Sequence, residues 1–143
     1  MFSGILPALN EKNDWSGGVI KLYNTLSNDY LYKVPSNNVI FLDNHDMTRI
    51  HSSLGESIPK TKMAYAWLMT SRGIPQMYYG SEVLMKGISN PDGWVRLDFP
   101  GGWAGDKKNA FTEVGMTDQD KDFLHYVQLL GTYRKSSAAL KTG

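Results

Sequence analysis

The stretch Val39–Asp46, VIFLDNHD, runs four large apolar residues straight into a carboxylate, an amide, an imidazole and a second carboxylate. The apolar half reads as a short buried strand. The polar half gathers, at the strand's end, side chains that can each bind a hydroxyl or shape a charge.

Outward from this stretch, turn and period signals divide the chain. Val19, Leu22, Tyr23, Leu26 and Tyr30 recur at helical spacing after Ser16-Gly17-Gly18, so a helix is expected over roughly 17–30 with Ser16 as N-cap. Pro35-Ser36-Asn37-Asn38 ends it and VIFL follows. Residues 43–58 read as a loop. Met63, Ala64, Trp67 and Leu68 mark a helix over roughly 59–72, with Pro59 where helix starts tolerate proline and Gly73 where helices end. A second short strand, Ile74–Glu82, also finishes in polar residues. Strand, helix and strand in this order predict a right-handed parallel crossover. In parallel α/β folds the carboxyl ends of strands form the active-site rim.

Residues 83–116 show no period but carry Trp94, Phe99, Trp103 and Phe111, too aromatic for a plain linker. Thr117 then caps a last helix whose apolar stripe is Phe123, Val127 and Leu130. The first fifteen residues have no clear assignment. The class is α/β with one domain. Yet only two strands convince, where a closed parallel barrel needs eight.

Bulk properties set limits. The 143 residues suffice for one modest core, and 41% hydrophobic with 20% charged residues is ordinary for a globular protein. A net charge of +1 without a basic block gives no reason to expect a nucleic-acid or anionic-membrane partner. There is no cysteine, and no apolar run approaches the ~20 residues of a membrane span. The N-terminus does not read as a signal peptide.

Several chemistries compete for DNHD. His45 and His51 lie across a loop without compact ligand spacing, which argues against a metal. No G-x-S-x-G elbow supports a serine hydrolase. Asp43 and Asn44 capping a turn is the plain reading. The sugar reading uses all four residues: Asp46 accepts bonds from adjacent hydroxyls and His45 donates one to a third, bonds that strengthen as a pyranose ring flattens towards an oxocarbenium ion.

FLDNHD followed by MTR, then GIPQMYYGSE, resembles the last two strands of the α-amylase family of glycoside hydrolases, in the family's order and spacing. GWVRLDFPGGW, Gly93–Trp103, followed by Asn109-Ala110-Phe111, resembles the neopullulanase and cyclomaltodextrinase branch. The resemblance runs from about residue 19 to the end. It implies that residues 1–143 are the C-terminal portion of a (β/α)8 TIM barrel, its last two or three βα units with a long loop after the final strand. Leu140–Gly143 would lie where the barrel gives way to a β-domain.

Residue by residue, the resemblance makes Asp46 the carboxylate that stabilises the transition state and His45 a sugar-binding neighbour. Asp92 and Arg96 would bind the next glucose units; an ordinary loop ion pair is the equal alternative. Asn44 and Arg49 would be supports, and Asp43, Tyr79 and Glu82 would hold the strand ends, with Glu82 of the three facing the cleft. Trp94 and Trp103 are candidates for stacking on sugar or for packing their own loop.

The family's nucleophile and acid/base precede NHD, and neither is present. Arg96-Leu97-Asp98 imitates R-x-D in the wrong place, with Trp94 where the motif has glycine, and none of Glu11, Glu56, Glu82 and Glu113 has the acid/base context. The implied parent cleaves α-1,4 links of starch, pullulan or cyclodextrins, while this chain alone is expected to be inactive. The other class is a non-catalytic domain that binds α-glucan or another protein. Expected partners are α-glucan oligosaccharides and, through exposed barrel edges, further copies of the chain. No cofactor is expected in this chain, although Ca2+ elsewhere in a parent stays open. The resemblance to bacterial starch-utilisation enzymes implies periplasm or cytoplasm.

Overall fold

The computed structural model describes residues 2–142. In order, its elements are α1 (Phe2–Asn10), α2 (Val19–Ser27), β1 (Val39–Phe41), α3 (Ile50–Ser53), α4 (Ile58–Thr70), β2 (Ile74–Gln76), α5 (Asp118–Ser136) and α6 (Ala138–Thr142). The two strands pair in parallel, with Val39 opposite Ile74, Ile40 opposite Pro75 and Phe41 opposite Gln76.

Gly73 makes this pairing possible. It has φ +103°, and a Cβ there would lie 2.7 Å from the Asn38 carbonyl oxygen, which accepts the Ile74 amide at 2.9 Å. Only glycine lets the chain leave α4 and turn onto β1 this closely. Arg72, just before it, forks onto Asp29 and ties this turn to the segment after α2.

Helix α4 buries Thr61, Ala64, Tyr65, Leu68 and Met69, a stripe at 3.6-residue spacing. Tyr65 meets Phe123 of α5 edge-on at 5.3 Å between centroids. Around this contact Ile5, Ile40, Leu42, Ile50, Leu54, Leu84 and Val127 form the main core. Each large aliphatic side chain so buried contributes roughly 1.5–3 kcal/mol. A smaller cluster of Val83, Ala110 and Met116 lies under the long loop.

Several expectations hold. Pro59 stands in the first turn of α4, and Thr117 caps α5 through a full capping box with Asp120. Others need correction. The helix expected over 17–30 is α only at Val19–Ser27 and continues as a 3-10 turn, Asn28–Leu31. Ser16 does not cap it, because Asp14 Oδ1 captures the Ser16 amide and hydroxyl; Asn13 Oδ1 accepts the Val19 amide instead. The unassigned N-terminal segment is a helix whose Ile5, Leu6 and Leu9 reach the core, with Pro7 interrupting its polar pattern. The loop expected over 43–58 contains the single turn α3. The second strand stops at Gln76, and Ser81–Val83 is a 3-10 turn. Residues 138–142 form the short helix α6. Among the described residues, no helix is long and apolar enough to cross a membrane.

Candidate functional site at the end of β1

Strand alternation carries Ile40 and Leu42 inward, and the buried register continues into Asp43, which is 1% exposed. Asp43 Oδ2 accepts the Ile50 amide at 2.9 Å and the Ser81 hydroxyl at 2.7 Å. One carboxylate thereby starts α3 and ties the end of β1 to the turn after β2. Burial pushes its pKa above the usual carboxylate value, against those two bonds and the nearby Arg49 charge.

Asn44 then reverses the chain. Its Oδ1 accepts the Asp46 amide at 2.9 Å, an Asx turn that leaves His45 and Asp46 exposed. His45 Nε2 stands 3.3 Å from Asp46 Oδ2. From the long loop, Arg96 Nε donates to the His45 carbonyl at 2.9 Å and its Nη2 to Asp46 Oδ1 at 3.1 Å. The same Nη2 lies 3.0 Å from Asp92 Oδ2. His45, Asp46, Asp92 and Arg96, named from sequence, therefore form one exposed cluster. The Asp92–Arg96 pair exists, but it is part of a larger network rather than an isolated loop pair. Asp46 also lines an open cleft of about 440 Å³ with Leu6, Met47, Thr48, Ser53 and Ser89.

Beneath the cluster Arg49 is fully buried. Its Nη1 donates to the Tyr79 carbonyl at 2.7 Å and to Ser81 Oγ at 3.3 Å, and its Nη2 to the Val95 carbonyl at 2.9 Å. Tyr78 and Tyr79 place their rings under its guanidinium at 4.6 and 5.0 Å. Their hydroxyls donate to the Val95 and Leu97 carbonyls at 3.1 and 2.8 Å. The depth of Arg49, and the role of Tyr78 and Ser81, went unread in the sequence because nothing local to them signals burial. Glu82 is half-buried, and burial raises its pKa against backbone hydrogen bonds from its own amide and Gly80.

Other candidates separate from the cluster. His51 is buried on α3, with Nδ1 2.9 Å from the Thr61 hydroxyl. Asp98 lines a different depression with Phe99, Pro100, Asp106, Lys107 and Lys108. Glu11 pairs with Lys21 at 2.8 Å, Glu56 with Lys86 at 2.5 Å and Glu113 with His125 at 2.9 Å. Trp94 and Trp103 are exposed, Trp94 inside the 3-10 turn that separates Asp92 from Arg96. No group of three metal-ligating side chains with suitable placement occurs among the described residues.

This geometry can bind neutral hydroxyl-rich ligands. Carboxylates held in place by an arginine fork present acceptor oxygens, and the imidazole beside them supplies a further polar contact.

A family model described as alpha amylase, catalytic domain, matches residues 9–120. A cyclomaltodextrin glucanotransferase of Bacillus sp. (strain 1011) is 47% identical over 66 residues, which make up 46% of this chain and 9% of that protein. Alpha-amylase 3 of Dictyoglomus thermophilum is 40% identical over 121 residues, 73% of this chain and 23% of that protein. The α-amylase of Geobacillus thermoleovorans, solved in complex with acarbose, superposes at a TM-score of 0.71 and 26% identity, over 99% of this chain and 28% of that one. The chain thus spans between 9% and 28% of the length of these relatives.

Proposed function

The chain belongs to the α-amylase catalytic-domain family, and from that premise we propose that it is the part of an α-glucan hydrolase that grips sugar beside the cleaved bond. The observation that carries this reading is the convergence of His45, Asp46, Asp92 and Arg96 in one exposed cluster where β1 ends.

In this reading β1, α4 and β2 belong to the last βα units of a (β/α)8 barrel. Asp46 accepts hydrogen bonds from adjacent hydroxyls of the sugar undergoing cleavage. Its charge favours the ring as positive charge develops, which lowers the barrier rather than merely tightening binding. His45 donates to the same sugar, and Asp92 with Arg96 holds the next glucose unit. A retaining glycosidase also needs a nucleophile and an acid/base roughly 5–5.5 Å apart. Glu11, Glu56 and Glu113 are committed to basic partners elsewhere, and Asp98 lines another depression. None of the four glutamates, Glu82 included, stands in the family's acid/base context, so in this reading the two missing carboxyl groups come from outside these residues and the chain alone turns nothing over.

The test is calorimetric titration of maltotriose and acarbose into the chain and into Asp46→Ala, beside hydrolysis assays on pullulan and β-cyclodextrin. Binding that is lost in Asp46→Ala, without hydrolysis, is the expected result. Equal affinity in both proteins would remove Asp46 from the site, and turnover by the chain alone would overturn the assignment of the missing groups.

One observation favours a second property, self-association. Val39 and Ile74 are 52% and 53% exposed on a two-stranded sheet whose outer edges pair with nothing among the described residues. Light scattering over a dilution series checks this, and a monomer at every concentration would refute it.

A further inference from the structure

Arg49 spends a permanent charge in a fully buried position, which is expensive unless several acceptors receive it. Three do, and they lie on two separate segments. Nη1 holds the Tyr79 carbonyl and Ser81 Oγ after β2, while Nη2 holds the Val95 carbonyl in the long loop. Nε has no partner, so the side chain is placed by its two outer nitrogens and by the tyrosine rings.

The Val95 carbonyl precedes Arg96. It receives a second donor, the Tyr78 hydroxyl at 3.1 Å, and the Arg96 amide donates to Gly93 at 3.1 Å. The peptide unit between Val95 and Arg96 is therefore held on both its polar atoms. From that fixed origin the Arg96 side chain reaches the His45 carbonyl and Asp46. Arg49 also belongs to the loop that displays His45 and Asp46, and its own amide donates to Gly87 at 3.0 Å. One rigid planar group thus spans the distance between the loop bearing Asp46 and the loop bearing Arg96.

We propose that Arg49 is a positioning residue, which sets the Arg96 guanidinium against His45 and Asp46 by gripping the Val95 carbonyl. The proposal deepens the glucan-binding reading and rests on it for its functional meaning. Lysine at this place keeps the charge but lacks the fork that reaches two carbonyls at once.

The experiment uses the full chain with 15N-labelled arginine. Solvent exchange of the Arg96 Nε–H reports its bond to the His45 carbonyl, and maltotriose titration reports the site. In Arg49→Lys, the Arg96 Nε–H exchanges about tenfold faster and maltotriose affinity falls about tenfold, while the amides of Phe123 and Val127 stay protected. Tyr78→Phe, which removes the other donor on Val95, shifts both readouts the same way by about threefold. A folded Arg49→Lys whose Arg96 Nε–H exchanges as in the parent chain overturns the proposal, however much its melting temperature drops. Should Arg49→Lys not fold, unchanged exchange in Tyr78→Phe overturns it. If the unmodified chain binds no maltotriose, the glucan reading fails, and the exchange measurement still decides whether Arg49 positions Arg96.

Discussion

Arg96 and His45 stand 51 positions apart in sequence and are joined by one bond, from the Arg96 Nε to the His45 carbonyl oxygen at 2.9 Å. The contact involves the backbone of His45, so it orients the loop without engaging the imidazole, which faces Asp46. Arg96→Ala removes this bond together with the contacts to Asp46 and Asp92. Maltotriose affinity should fall by about tenfold, the scale of one charge-assisted hydrogen bond. Because the pairs are exposed, the cost in stability should stay below about 1 kcal/mol. Calorimetry and thermal melts on one preparation check both statements.

His51 predicts a pH dependence. Burial lowers its pKa below the usual value; among its charged neighbours Glu56 and Asp120 work against this and Lys86 adds to it. The folded state therefore resists protonation that the unfolded chain accepts. Its contribution to stability is fully present above about pH 6.5 and is lost as pH falls through that value towards the folded pKa. His51→Asn keeps a donor near the Thr61 hydroxyl but cannot titrate. Its melting temperature should change less than the parent's between pH 7.5 and 5.5 (both pH values about the ordinary histidine pKa), and equal slopes would refute the claim.

Asp120, an acid, carries a pH dependence of the same sign. Burial works against its ionisation, but the Lys108 ammonium and the Thr117 amide and hydroxyl outweigh this and hold its pKa below the usual value. The stabilisation is present above the unfolded pKa and is lost as pH falls through the folded one. Thr117→Ala removes half of the capping box and should cost about 1 kcal/mol. Urea midpoints of both proteins at neutral pH give the difference.

Gly87 is where the loops bearing the site touch. A Cβ there would lie 2.3 Å from the Trp94 carbonyl oxygen, a backbone atom that no rotamer change can move. Gly87→Ala should destabilise by roughly 1–3 kcal/mol and displace the 94–96 segment. The Arg96 Nε–H resonance should shift, whereas Gly131→Ala on α5, whose Cβ meets nothing, should leave it in place.

How much of this was legible from sequence differs by element. The cap at Thr117 and the polar end of β1 are local patterns that appear where their residues predict them; of the stripe expected on α4, Ala64 and Leu68 are buried and Trp67 packs on the core, whereas Met63 is exposed. The grouping of His45, Asp46, Asp92 and Arg96 came from motif resemblance, since no periodicity links residues so far apart. Helix α1 escaped because Pro7 masks a stripe of only three apolar residues. Ser16 misled because Asn13, three residues earlier, takes the Val19 amide that an N-cap would accept, while Asp14 holds the Ser16 hydroxyl. The anchoring by Arg49 was unreadable for a different reason. Its acceptors are the backbone oxygens of Tyr79 and Val95, and backbone atoms leave no trace in residue identity.

The Asp43–Ser81 bond spans 38 positions and the Arg49–Val95 bond 46. Each half has short-range bonds of its own, Asn44 to Asp46 in one and Asp92 to Arg96 in the other, but the bonds that bring the halves together are all long-range. Topologies with such distant pairings fold more slowly than those built on neighbours, since chain closure comes before the contacts that repay it. The integrity of the candidate site therefore depends on the whole polypeptide. On the proposed reading, a sugar bound there would by mass action stabilise more than a loop, reinforcing two distant stretches of chain that Asp43, Arg49 and Arg96 already join.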